Sequence, residues 1–259
     1  MRFREIFIVS KGTKVIFAIT FSVSLIAVVF AFFYYRSINN SEDPRIRKAR
    51  EYLSEFDKNS GKPDSFDLFP LLDSAFTIFR SLPDYNTSYE MGLIYNNKCS
   101  SLLLMAIYDS TINEAEKRKL LSLSMKFCDS SILIYRRWID EWDSLSQYDI
   151  ERKIEPYMSE GGEAFEGYSI RKIFARRVKN IIKAQIETPR RLSVSLTNKG
   201  TIYRHMIKTD SSLICYNQAL DLWKDNRIAK SNLNVLLGGE PVKPSLIESL
   251  FPPDKNKKN

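Results

Sequence analysis

From its N-terminus the chain presents one unbroken apolar run, then apolar positions spaced for helices. Val15 to Tyr35, VIFAITFSVSLIAVVFAFFYY, contains no charged residue. Wound as a helix at about 1.5 Å per residue, it spans roughly 30 Å, the thickness of a bilayer's hydrocarbon core. Lys14 and Arg36 bracket the run, and Phe32, Phe33, Tyr34 and Tyr35 supply an aromatic band for one interface. Thr20, Ser22 and Ser24 are compatible with lipid because a helical hydroxyl can donate to its own backbone. The pattern predicts a transmembrane helix over residues 15–35 behind a basic tail, residues 1–14. Val29-Phe30-Ala31 also fits the small-x-small rule of a signal-peptide cleavage site. A signal core is only about 7–15 residues long, and this run continues through four aromatics, so an uncleaved signal-anchor is the expectation.

Beyond the anchor, Ser37 to Pro44 is polar and reads as a linker (36–44 as a unit), with Asp43 or Ser41 as cap and Pro44 in the first turn of a helix to about Phe56. Asn59-Ser60-Gly61-Lys62-Pro63 interrupts it. A second helix is expected from Ser65 to Leu82, with a late start or a kink at Pro70. Over 86–109, Met91, Ile94, Tyr95, Leu102, Met105 and Ala106 fall at three- and four-residue spacing. Asn113 and Glu116 form a capping-box pattern for a helix reaching Trp142. The stretch 144–168 carries Pro156, Gly161, Gly162 and Gly167 and predicts a short helix and a loop. Ile170, Ile173, Phe174, Val178, Ile181 and Ile182 make one stripe of a helix over 169–187. Thr188-Pro189 is expected to start another, to about Met206. Two more follow, from Asp210 to Trp223 and from Ile228 to Leu237. The helical domain is thus placed at 45–240, with a C-terminal tail over 241–259, disordered from Pro252. Only 9 glycines and 10 prolines occur in 259 residues, too few turn residues for a sandwich or barrel, so the fold class expected is all-α.

One local pattern occurs three times: Asp73-Ser74-Ala75-Phe76-x-x-Phe79, Asp129-Ser130-Ser131-Ile132-x-x-Tyr135 and Asp210-Ser211-Ser212-Leu213-x-x-Tyr216. It suits a docking helix, with Asp as cap, a small residue for close approach, and an aromatic four residues on along the same face. Upstream of the third copy stand Leu196, Gly200 and Tyr203, and Ala219 follows it; Gly92 and Tyr95 repeat the glycine–tyrosine spacing before the second. These residues resemble the tetratricopeptide repeat, most closely over 193–237. The resemblance implies an antiparallel array of helix pairs in which Gly92, Tyr95, Ala75, Phe79, Ser131, Tyr135, Gly200, Tyr203, Ser212, Tyr216 and Ala219 carry the packing. It also implies a scaffold that binds proteins or peptides on a concave face. The chain departs from the family at Lys199 (usually leucine), Ser212 (alanine) and Lys224 (proline). Its copies start 56 and 81 residues apart, from Asp73 to Asp129 to Asp210, where the family's period is about 34.

Charge and chemistry refine this picture. The formal net charge is +8, and half of it belongs to residues 1–36, where Arg2, Arg4, Lys11, Lys14 and Arg36 face Glu5 alone. The remainder is only mildly basic, which disfavours nucleic acid as a partner. Basic residues flank the apolar run on both sides, but Lys11 and Lys14 lie closest to it. The expected topology therefore has the N-terminus inside and the domain extracytoplasmic, the periplasm in a bacterium. Cys99, Cys128 and Cys215 have no pairing or metal-ligand spacing. The single histidine, His205, is expected on a solvated surface, and there is no phosphate loop or nucleophile elbow. No cofactor or metal is implied, and no enzymatic role is expected. The rival enzymatic reading, a membrane-tethered hydrolase, would use Asp140, Glu141 and Asp143 beside Trp138 and Trp142. Arg171, Lys172, Arg176, Arg177, Lys179 and Lys183, extended by Arg190 and Arg191, form a basic face for an acidic partner or for lipid head groups, the latter in a lipid-proximal structural or sensory module. In layout, an anchor followed by a helical array, the chain is similar to bacterial inner-membrane scaffolds of envelope complexes.

If residues 15–35 are inserted and retained, carbonate washing of membranes leaves the full-length chain behind. A released species beginning near Phe32 points instead to a cleaved signal peptide.

Overall fold

The computed structural model describes residues 11–39, 41–60, 65–159 and 162–243, and every regular element among them is helical. The N-terminal helix α1 (Lys11–Asn39) overruns the apolar stretch at both ends. Its segment Lys11–Tyr35 is long and apolar enough to cross a membrane, and none of it is buried against the rest of the chain. Ser22 donates to the Ala18 carbonyl at 2.8 Å, the satisfaction a hydroxyl needs in such a helix.

The domain comprises α2 (Pro44–Asn59), α3 (Phe69–Ser81), α4 (Tyr89–Tyr108), α5 (Glu114–Trp142), α6 (Gln147–Ser159), α7 (Ile170–His205), α8 (Thr209–Leu222) and α9 (Arg227–Leu236), with short 3₁₀ turns at Ser65–Leu68 and Gly162–Phe165. Asp43 caps α2 through the Arg45 amide. Asn113 and Glu116 complete their capping box on α5. Pro70 gives the late start, with α3 beginning at Phe69. Residues Gly61, Lys62 and Pro63 of the expected break, and the tail from Pro244, lie outside the described residues.

Three helix pairs organise the domain: α2 with α3, α4 with α5, and α7 with α8. The last two are antiparallel by their own hydrogen bonds. Ser131 donates to the Gly92 carbonyl at 2.9 Å and Ser124 to that of Cys99 at 2.8 Å, so seven residues forward on α4 match seven backward on α5. The α7–α8 pair repeats this register: Ser212 donates to Gly200 at 2.7 Å and Ser193 to Ala219 at 2.6 Å. The glycines permit the approach. A Cβ on Gly92 would lie 2.5 Å from the Tyr135 ring, and one on Gly200 would lie 2.6 Å from the Tyr216 ring. Both tyrosines are fully buried, so neither ring can move aside cheaply. In the first pair Ala75 and Phe79 are fully buried with Ala49 in one core that Tyr52 flanks, so α2 supplies its own small residue and tyrosine three apart. Tyr95 stacks edge-on with Phe76 at 5.6 Å, tying the second pair to the first. Tyr203 is partly buried, with Lys199 and Lys208 over its ring.

Several expectations are corrected. The motif aspartates do not cap. Asp73 and Asp129 lie inside α3 and α5, and Asp210 sits in the first turn of α8 behind Lys208. Two of them clamp successive pairs instead, Asp73 to Lys98 on α4 and Asp129 to Lys199 on α7 at 2.7 Å. Thr188-Pro189 does not start a helix, because α7 runs through it unbroken. Packing on both flanks outweighs the missing Pro189 amide: Thr188 is fully buried, and Ile181, Ala184, Leu192 and Leu196 are core on either side. The Gln185 amide bonds the Trp142 and Leu145 carbonyls at 2.7 and 2.9 Å and fixes the end of α5. The expected linker is shorter than 36–44, since α1 continues to Asn39 and residues 41–43 are fastened to the domain.

Gly200→Leu therefore overpacks the α7–α8 contact and costs on the order of 1–3 kcal/mol. At roughly 2–4 °C per kcal/mol for a domain of this size, the thermal midpoint of the detergent-solubilised chain falls by several degrees. A rise, as for a leucine on an open helix face, would contradict the packing.

Candidate functional site

A groove of about 720 Å³ opens between α2 and α7. Its walls are Glu42, Arg47, Arg50, Glu51 and Ser54 on one side and Arg176, Asn180, Lys183, Ala184, Glu187 and Arg191 on the other, with Tyr89 of α4 between. The first helix of each of the three pairs thus contributes. Stacking sets this arrangement: α5 packs on α7 while α4 also touches α7, so the first helices gather on one side of the array. Five cationic side chains face three carboxylates. Glu42 already accepts from Arg50 at 3.0 Å, and Glu187 accepts from Arg190 at 3.2 Å outside the lining. The remaining field favours an anionic ligand.

Beneath the groove lies a buried charge network. Glu90, at the start of α4, is 3% exposed and lies 3.5 Å from Arg50 and 4.0 Å from Arg177. Arg177 itself is 5% exposed, with its guanidinium 3.9 Å from the centre of the Tyr85 ring. Arg45 bridges Asp43 and Asp84 at 2.7 Å each. The Tyr85 hydroxyl donates to Asp43 at 3.2 Å. Burial opposes ionisation of Glu90, but the cations Arg177 and Arg50 outweigh it and hold the carboxyl below the ordinary glutamate range. At Asp84 burial prevails over Arg45 and Arg177, and its carboxyl is raised. Burial pushes the Tyr89 hydroxyl up to about 12, so it stays protonated and able to donate at the groove floor.

The structure divides the basic face expected from sequence. Arg176 and Lys183 line the groove, Arg171, Lys172 and Lys179 are exposed, and Arg177 turns inward to Glu90 and Tyr85. Arg177 is therefore not part of a solvated surface: its position, one after Arg176, rotates it about 100° toward the apolar stripe. Sequence reasoning missed Arg45, Arg50 and Glu90, each of which has a partner 39 or more residues away in the chain. The one visible signal was the density of arginines over 45–50. Asp140 and Asp143 are exposed, Glu141 pairs with Lys153 at 2.8 Å, and none of the three lines the groove. His205 is half-buried rather than solvated, and burial with nearby Arg204 and Lys117 lowers its pKa. Cys99, Cys128 and Cys215 are buried free thiols. No group of three or more His, Cys, Asp or Glu able to hold a metal occurs among the described residues.

No family model matches the chain, and neither a curated protein nor a solved structure does so.

Glu90's depressed pKa is a stability contribution present in full above the ordinary glutamate range and lost as pH falls through the lower folded value. Glu90→Gln removes the carboxylate between two buried cations and costs about 3 kcal/mol near neutrality. The gap between wild type and variant narrows as pH drops below about 4, where the native carboxyl also protonates. Thermal midpoints across pH test this; a gap independent of pH would contradict an ionised Glu90.

Proposed function

We propose that the protein is a membrane-anchored, tetratricopeptide-like scaffold of the bacterial envelope whose groove binds an acidic segment of a partner protein. The carrying observation is the groove itself, built from the first helices of three stacked pairs and lined with more cations than acids. The matching registers at Gly92–Ser131 and Gly200–Ser212 support the repeat reading. So do the aspartate–lysine clamps between pairs. Stacked helix pairs generate an extended concave surface that no single pair could form. Recognition needs no reactive group: Arg47, Lys183 and Arg191 attract carboxylates, while Tyr89 and Asn180 offer uncharged hydrogen bonds. α1 tethers this surface to the membrane as a single-pass anchor, with the domain on the extracytoplasmic side.

The anisotropy of a fluorescent glutamate-rich peptide, titrated with the full chain in detergent, tests the reading. Binding is expected for this peptide and not for its lysine-rich counterpart. Lys183→Glu with Arg191→Glu weakens it at least about tenfold, or about 1.4 kcal/mol, while Asp140→Lys on α5 outside the groove leaves it unchanged. Equal binding of both peptides, or indifference to the groove substitutions, would overturn it.

A further inference from the structure

Each first helix of the array, α2, α4 and α7, packs against the α-helix that follows it. α9 stands in the same position for a further pair. Asn226, its cap, donates to Ser193 and Thr197 of α7 at 2.8 and 3.0 Å, and Asn232 donates to Thr201 at 3.1 Å. Moving forward on α9 thus moves forward on α7, and the two helices are parallel. As α7 packs on α5, α9 packs on α8. Ala229 is fully buried in a core with Leu192, Leu196 and Ala219. No helix follows α9 among the described residues. On its flank Ile228, Ser231 and Val235 fall at three- and four-residue spacing, with Ile228 65% and Val235 39% exposed.

The chain turns back along this flank. Gly238, with φ of 84°, ends α9, and the Gly239 amide donates to the Asn234 carbonyl at 2.8 Å. Three residues later the Val242 amide donates to the Ser231 hydroxyl at 3.2 Å. Three residues forward in the tail thus match three backward on α9, so the chain runs antiparallel to the helix where the described residues end, at Lys243. Ile228 is the next turn in that direction, about 4.5 Å along the axis from Ser231, a distance that one or two residues of chain span. Residues 244–251 read PSLIESLF. Leu246, Ile247, Leu250 and Phe251 share one face at helical spacing, and Pro244 suits a first turn. Two turns of helix are unstable alone in water, so that face needs a surface on which to form.

We infer that residues 244–251 dock as a helix on the Ile228 flank of α9, making a fourth pair and closing the C-terminal end of the array. The apolar face of the segment covers Ile228. Ser245, Glu248 and Ser249 then face solvent, the polar outer surface that the last unit of a helical array requires. The occupant is the chain's own segment rather than a second copy. The chain is already held at Ser231, one turn away, and that attachment keeps the segment at high effective concentration over the flank. The inference requires neither the peptide groove nor the membrane anchor.

The test reads maleimide labelling of Ile228→Cys in the full chain in detergent, which is selective because Cys99, Cys128 and Cys215 are buried. With the native tail the thiol is expected to react at least about tenfold more slowly than with Leu246→Asp and Leu250→Asp together, as about 1.4 kcal/mol of docking gives. Leu133→Cys on α5, 49% exposed, is expected to label at one rate with either tail. Rapid labelling of Ile228→Cys with both tails overturns the inference. Slow labelling that survives the two aspartates also overturns it, and protection that weakens on dilution then assigns the flank to a second copy. A rate at Leu133→Cys that rises with the aspartates as much as that at Ile228→Cys shows loss of the whole fold instead of undocking, and overturns the inference as well.

Discussion

The domain depends on how closely two helices can approach at a glycine. At Gly92 and again at Gly200 the facing tyrosine ring occupies the space a Cβ would need. The buried glycine carbonyl then accepts a hydrogen bond from the hydroxyl of the small residue four positions before that tyrosine, Ser131 or Ser212. Glycine inside a helix costs about 1 kcal/mol relative to alanine. The buried aromatic contact and the serine bond offset that cost, and they fix the register of each pair. Everything built on the pairs inherits this register, including the aspartate–lysine clamps between them and the convergence of α2, α4 and α7 on one groove.

A polar joint extends the same logic across the second and third pairs. The Ser131 and Ser195 hydroxyls meet at 3.0 Å, Ser195 donates to Asn96 at 2.9 Å, and Asn198 bonds the same Asn96 oxygen at 3.1 Å. Buried hydrogen bonds of this kind contribute little net energy each but penalise every misaligned stacking that leaves them unmade. The charge network of Glu90, Arg177, Arg50 and Arg45 acts likewise beneath the groove. It holds the lining arginines in place and ties the segment from α1 to the domain, so that site, fold and the entry from the N-terminal helix share one set of contacts.

Features set by neighbours in sequence were legible there: the apolar run of α1, the capping box at Asn113, the late start at Pro70, and the glycine, serine and tyrosine positions of the second and third pairs. Features set by distant partners were not. Pro189 reads locally as a helix start, yet core residues on both flanks carry α7 through it. Asp73 and Asp129 read locally as caps, yet their partners are lysines on the next pair. The groove was visible only as half a wall, the basic face of α7 with its extension to Arg191; nothing local marks Arg50 or Tyr89 as its companions. In the first pair only the second helix was recognised, through Ala75 and Phe79; α2 was not matched to it because Ala49 stands where the later pairs have glycine.

A double-mutant cycle on the second pair tests the close approach most directly. Thermal and denaturant stabilities are measured for wild type, Gly92→Ala, Tyr135→Leu and the double variant. Because the alanine methyl meets the Tyr135 ring and little else, its cost should largely disappear once the ring is replaced. The two changes should then couple by about 1 kcal/mol or more, beyond the roughly 0.3–0.5 kcal/mol scatter of independent sites. Additive effects would contradict the account: Gly92 and Tyr135 would then act separately, and the pair's register would rest on something else.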